Sequence, residues 1–172
     1  ADLESGRDFG RYLDVDGDGI PYRTYPGTHP SRGSFFTRGT TRDAYARYTE
    51  EGGPYIENME RLLRKFETAK SYVPQPILDA SPGSRIGVLH YGSTAAPMEE
   101  ATQILAKQGI ALDVMRIRAF PFARAVDEFV AAHDKVFVVE QNRDAQLRTL
   151  LMTENGMSPD KLLSILHYDG SP

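Results

Sequence analysis

Arg85-Ile86-Gly87-Val88-Leu89-His90-Tyr91-Gly92-Ser93-Thr94 is a short apolar run that closes on small and hydroxylated residues. A run of that length, followed by helical periodicity, reads as a buried strand handing over to a helix. The pattern recurs in Leu112-Asp113-Val114-Met115-Arg116-Ile117-Arg118 and again in Lys135-Val136-Phe137-Val138-Val139-Glu140. Three βα units in succession predict an α/β fold: a small, doubly wound, mostly parallel sheet with helices on both faces. Sheets of this kind present functional groups at the carboxyl ends of their strands. Here those ends are Gly92-Ser93-Thr94, Ala119-Phe120-Pro121-Phe122 and Glu140-Gln141-Asn142.

Working outward, a helix is expected after Thr94 or Ala95, with Met98, Ala101, Ile104 and Leu105 inward and Gly109 as its stop. A second begins near Phe122 and buries Val126, Phe129 and Val130. A third runs from about Asp144 to near Gly156 and buries Leu147, Leu150 and Leu151. Ser158-Pro159-Asp160 reads as a short helical restart, and Leu163 to Tyr168 as a closing strand, giving four strands and three crossover helices.

Upstream, Ile56, Met59, Leu62, Leu63, Phe66 and Ala69 recur at helical spacing from Tyr55 and are expected to form a buried face. Glu57 with Arg61, and Glu60 with Arg64, are i,i+4 pairs in the favourable orientation. Pro74 and Pro76 end this helix, and Pro74 to Ser84 reads as a linker. The first fifty residues differ in character. Gly6, Gly10, Gly17, Gly19, Gly27, Gly33 and Gly39, with Pro21, Pro26 and Pro30, oppose long regular elements. Only Ile20–Arg23 and Ser34–Thr37 could be short edge strands. Tyr12, Tyr22, Tyr25, Phe35, Phe36, Tyr45 and Tyr48 supply aromatic area that is expected to drape over a neighbouring domain. The expected organisation is a loop-rich connecting segment over 1–54, a helix and linker over 55–80, and the α/β domain over 81–172.

Composition narrows the function. A net charge of −4, without long single-sign runs, gives no footprint for nucleic acid or for an anionic membrane. The absence of cysteine excludes a disulfide scaffold, a thiol nucleophile and any cysteine-ligated cluster held by these residues. Apolar runs fall short of a membrane span, and the opening Ala1-Asp2-Leu3-Glu4 is neither a signal peptide nor an initiator start. A cytoplasmic piece of a longer polypeptide is expected.

Three groups could carry chemistry. Asp14, Asp16 and Asp18, interleaved with Gly17 and Gly19, match the opening of a calcium loop. The twelfth position is Tyr25 rather than glutamate and Pro21 falls inside, so a tight acidic turn is favoured and calcium is the alternative. Gly92, Ser93 and Thr94 stand where strand meets helix, suited to anion binding or to helix capping. Glu140, Gln141 and Asn142, with Arg143, Asp144 and then Gln146, form the densest polar group. It suits a subunit interface, local capping or ligand recognition. Histidines 29, 90, 133 and 167 lack metal-ligand spacing, and His90 and His167 are expected in a core or interface. No G-x-S-x-G elbow and no paired carboxylates for acid and base work are present, so no catalytic residue is nominated.

Residues 14–28, DVDGDGIPYRTYPGT, together with FFTRGTTRDAYARYTEE, ENMERLLRKFETAK, IGVLHYGST, VFVVEQNRDAQLRTLL and LHYDGSP, resemble the C-terminal part of the α subunit of 2-oxoacid:ferredoxin oxidoreductases, particularly the 2-oxoglutarate type. The resemblance runs in the same order over essentially the whole chain.

That resemblance implies a complex which converts a 2-oxoacid, coenzyme A and oxidised ferredoxin to an acyl-CoA, carbon dioxide and reduced ferredoxin. It implies thiamine diphosphate, magnesium and a [4Fe–4S] cluster, held mainly by a β subunit, with none bound by this chain alone. It also implies an upstream pyrimidine-binding domain bearing a Y-P-I-T-P motif, which these residues do not include, and a matched portion similar to the transketolase C-terminal domain that braces the assembly. By position, Gly92, Ser93, Thr94, Glu140, Gln141, Asn142 and Gln146 become interface or cofactor-proximal candidates. The alternative is a freestanding α/β module that binds a nucleotide or acyl carrier.

Overall fold

The computed structural model describes residues 3–6, 8–35 and 39–170. Contacts divide the chain into two units, residues 1–69 and 70–172.

In the first unit the one regular element among the described residues is helix α1, Gly52–Ala69. Its apolar stripe does not face inward as periodicity suggested: Ile56, Met59 and Leu63 are exposed, and the one buried residue is Arg61. The cause lies in the Asp14–Gly19 loop, which packs on the polar side of the helix. Arg61 donates to the Gly19 carbonyl at 2.9 Å and to Asn58 Oδ1 at 2.8 and 3.1 Å. Thr68 donates to the Asp18 carbonyl at 2.6 Å. A Cβ on Gly19 would stand 2.3 Å from the Lys65 amide nitrogen, so only glycine permits this approach, and its φ of +79° suits glycine as well. Arg61 and Arg64 therefore turn to the loop and not to Glu57 and Glu60, because a fixed carbonyl and a clustered carboxylate hold them better than solvated glutamates. Ile20–Arg23 forms no strand; Ser34 and Phe35 are also irregular, and Phe36 and Thr37 lie outside the described residues.

The second unit is the expected α/β fold. Its elements are β1 (Ile77–Asp79), β2 (Ile86–Tyr91), α2 (Ala95–Lys107), β3 (Asp113–Ile117), α3 (Arg124–Ala132), β4 (Lys135–Glu140), α4 (Gln146–Asn155) and β5 (Leu162–Leu166). Five strands lie in the order β1-β3-β2-β4-β5, parallel except for β1. The fifth strand is a correction, since β1 sits in the segment read as linker and pairs Leu78 with Met115. Three residues between prolines give too short a pattern to read. Ser158–Asp160 is a turn and not a helix, and His167 lies past β5, exposed and 3.1 Å from Asp169.

Right-handed crossovers decide which helix covers which face. From β2 the chain steps to β3 on one side, then back across β2 to β4 and on to β5, so α2 must lie on one face and α3 and α4 on the other. The packing agrees: Val88, Val114 and Leu112 meet Met98 of α2, whereas Leu89, Met115, Val136, Val138 and Leu162 meet Val126 and Phe129 of α3 and Leu147 and Leu151 of α4. The central strand β2 is buried on both faces, which is why it reads as a continuous apolar run. Each fully buried Leu or Val here contributes roughly 1.5–3 kcal/mol. Gly87 is required by closeness, since a Cβ there would stand 2.8 Å from the Phe129 ring. Ile104, expected inward, is exposed, because α2 covers β2 and β3 without a second helix beside it.

Among the described residues no helix is long and apolar enough to cross a membrane.

Candidate functional site

Neighbouring strands β2 and β4 send their following helices to opposite faces, so the chain parts between their carboxyl ends, the place where open α/β sheets form a crevice. The polar candidates of both turns meet there. Ser93 Oγ donates to Gln141 Oε1 at 2.9 Å. Asn142 Nδ2 donates to Glu140 Oε2 at 2.8 Å and approaches Tyr91 Oη at 3.5 Å. Arg116, from β3, reaches the Gly92 carbonyl at 3.4 Å. Thr94 is buried beneath this layer.

Glu140 has 0% exposure, and its carboxylate accepts three hydrogen bonds. Besides Asn142, it accepts the backbone N–H of Leu147 at 2.6 Å and that of Arg148 at 3.0 Å. Asn142 Oδ1 accepts the N–H groups of Asp144 at 3.1 Å and Gln146 at 3.2 Å. The first turn of α4 is thus capped from outside, by a carboxylate at the end of β4 and an Asx turn, while the residue in the cap position is Ala145 in the left-handed region at φ 49°. A negative charge already fills the place where an anion would bind a helix N-terminus.

Beside this network runs a groove of about 450 Å³, lined by Tyr91, Gly92, Arg118, Phe120, Gln146 and Leu150, among others. Gln146 thus lines the groove next to the network. Phe120 meets Phe122 edge to face, with ring centroids 5.3 Å apart. The sequence marked the turn holding Phe120 but nominated neither it nor Arg118. Their position at the carboxyl end of β3 was the available signal.

His90 and His133 are buried, as a core role requires. His133 links the Phe129 carbonyl at 2.7 Å to the Asp113 carboxylate at 3.0 Å. His90 Nδ1 has no hydrogen-bond partner among the described residues. Burial, and then the charge of Arg116, push the His90 imidazole below its ordinary pKa.

Asp14, Asp16 and Asp18 lie in the first unit, with one carboxylate oxygen of each within 4.8 Å of the others. Asp14 accepts the Gly19 N–H at 3.0 Å and pairs with Arg64 at 3.2 Å, while Asp18 accepts the Ile20 N–H at 2.7 Å. Desolvation opposes ionisation of Asp14, but the Gly19 amide and the Arg64 guanidinium outweigh it and hold the carboxyl below its usual pKa.

No protein-family model matches the chain. The α subunit of 2-oxoacid:ferredoxin oxidoreductase 2 from Aeropyrum pernix is 29% identical over 170 residues, which take in 96% of this chain and 25% of that protein. Among solved structures, 2-oxoglutarate:ferredoxin oxidoreductase from Magnetococcus marinus, with 2-oxoglutarate, coenzyme A and succinyl-CoA bound, superposes with a TM-score of 0.80. That match covers 98% of this chain and 29% of the other at 20% identity, so it speaks for the fold. The chain spans about a quarter of the curated relative, and both similar proteins are oxidoreductases or subunits of one.

Proposed function

We propose that this chain is the C-terminal portion of the α subunit of a thiamine-diphosphate-dependent 2-oxoacid:ferredoxin oxidoreductase, of the 2-oxoglutarate type, and that it assembles the enzyme without carrying its chemistry. The observation that carries this reading is the similarity to a named α subunit along nearly the full chain. The reaction proposed for the whole complex is oxidative decarboxylation of a 2-oxoacid to an acyl-CoA, with electrons passed to ferredoxin in the cytoplasm. Residues 81–172 would then be a transketolase C-terminal-like domain, with 1–54 as the connecting segment and 55–80 supplying the helix, a linker and strand β1 of that domain's sheet.

The residues present do not fit the complex's redox and thiamine groups. The sequence has no cysteine to ligate a [4Fe–4S] cluster. At α4, the donors a diphosphate would need are taken by Glu140. In the proposed complex, as the resemblance implies, thiamine diphosphate, magnesium and the cluster are held mainly by the β subunit. Here Glu140 and Asn142 hold α4 in place, while Gly92, Ser93, Gln141 and Gln146 shape the surface turned toward a partner or a cofactor, with Thr94 buried beneath them.

The alternative of a freestanding nucleotide or acyl-carrier module keeps only the Gly92–Thr94 turn before α2 as an anion site, since Glu140 takes the donors at the start of α4. Calorimetric titration with thiamine diphosphate separates the two readings. The two-subunit complex is expected to bind it and this chain alone to give no heat above dilution. Binding by the lone chain would overturn the assembly role.

A further inference from the structure

Helix α1 is inverted relative to an ordinary surface helix. Its buried arc centres on Arg61 against the Asp14–Gly19 loop, and on the opposite side Ile56, Met59 and Leu63 are 57%, 38% and 69% exposed. The spacing continues to Phe66, at three, four and three residues, which is the a/d seam of a helix that packs against another helix. One border of the seam is mostly acidic, with Glu57, Glu60 and Glu67 exposed and the one cation among them, Arg64, held by Asp14, and the other carries the half-buried Leu62.

Resting on the oxidoreductase reading above, we propose that this stripe of α1 docks a helix of the partner subunit whose own apolar strip is bordered on one side by Lys or Arg. Charge complementarity selects the basic border. A second copy of this chain fits poorly. Antiparallel self-pairing sets Glu60 against Glu67, like charge on like charge. An 18-residue helix is about 27 Å long and about 10 Å wide. Its face offers roughly 300 Å², well below the roughly 800 Å² per partner that a stable dimer needs. The stripe works as one part of a larger interface, and the relative, itself one subunit of an enzyme, is the kind of protein that has one.

The test uses the full α subunit bearing this chain, produced together with its partner subunit. Wild type, Leu63→Glu and the double variant Glu57→Lys/Glu60→Lys are captured through a tag on α, and the partner retained is quantified at low and high salt. Leu63→Glu is expected to lower retention about tenfold, the loss typical of a central apolar contact. The charge variant is expected to lower it several-fold at low salt, with the gap closing at high salt. The unfolding midpoint of each purified α subunit should match wild type, because the altered side chains are exposed. Full retention by Leu63→Glu overturns the docking site. Self-association of α that Leu63→Glu abolishes, with the partner still held, overturns it in favour of a second copy. A wild-type pair that assembles but reduces no ferredoxin on 2-oxoglutarate and coenzyme A overturns the enzyme reading instead.

Discussion

Glu140, the last residue of β4, accepts the Leu147 amide at 2.6 Å across seven positions of chain. That bond ties the end of a central strand to the first turn of the helix that follows it, and Arg148 repeats it at 3.0 Å. Arg148 in turn donates to the Leu162 carbonyl at 2.8 Å and the Pro159 carbonyl at 3.1 Å, so β4, α4 and the start of β5 are held by one chain of polar contacts.

Glu140→Gln should destabilise the chain by about 2–3 kcal/mol, because an amide nitrogen would face one of the two backbone donors in a buried place and leave it unsatisfied. Urea unfolding is the measurement, with a lower midpoint at unchanged slope expected. An unchanged midpoint would mean that α4 is capped in some other way.

Ala145→Gly should be stabilising by about 0.5–1 kcal/mol. The residue sits at φ 49°, ψ 48°, where a Cβ costs about 1–2 kcal/mol and glycine sits without strain, less the extra backbone freedom glycine gains on unfolding. Thermal unfolding of the variant would show it, and a loss of stability would contradict the assigned strain.

Stability should decline on the acid side of neutrality through His90. Its folded pKa is depressed, so the unfolded chain takes up a proton first as pH falls below the ordinary histidine value of about 6.5. The unfolded state is thereby favoured from that pH down to the folded pKa, and above about 6.5 the contribution is flat. His90→Leu should flatten this decline relative to wild type in denaturant midpoints taken from pH 7.5 downward in about half-unit steps. Parallel profiles would assign the decline to other groups.

Calcium titrated into the chain should give no calorimetric signal at micromolar affinity. Arg64 already neutralises Asp14, and Tyr25 stands where a calcium loop places its bidentate glutamate. Saturable binding lost in Asp16→Asn would reinstate the loop as a cation site.

Much of the second unit was legible because its central strand is buried on both faces and leaves a continuous apolar run, β3 and β4 carry apolar cores, and its helices keep their periodicity. β1 was missed because three residues carry no pattern. The site was legible as a place, since strand order and crossover handedness bring Ser93 to Gln141 whatever the side-chain detail. It was not legible in its bonding. Whether Glu140 faces a ligand or the amides of Leu147 and Arg148 depends on the path of the turn between them, which spacing does not encode. Helix α1 misled for a related reason: periodicity finds an apolar stripe without saying what covers it, and the acidic loop had already taken the opposite side.

Ferredoxin reduction is the most direct measurement of the central claim, followed spectroscopically with the two-subunit complex and with this chain alone. Reduction by the complex that requires both 2-oxoglutarate and coenzyme A, with none by the chain alone, is the expected result. Turnover by the chain without a partner, or a well-assembled complex that leaves ferredoxin oxidised with both substrates present, would contradict it.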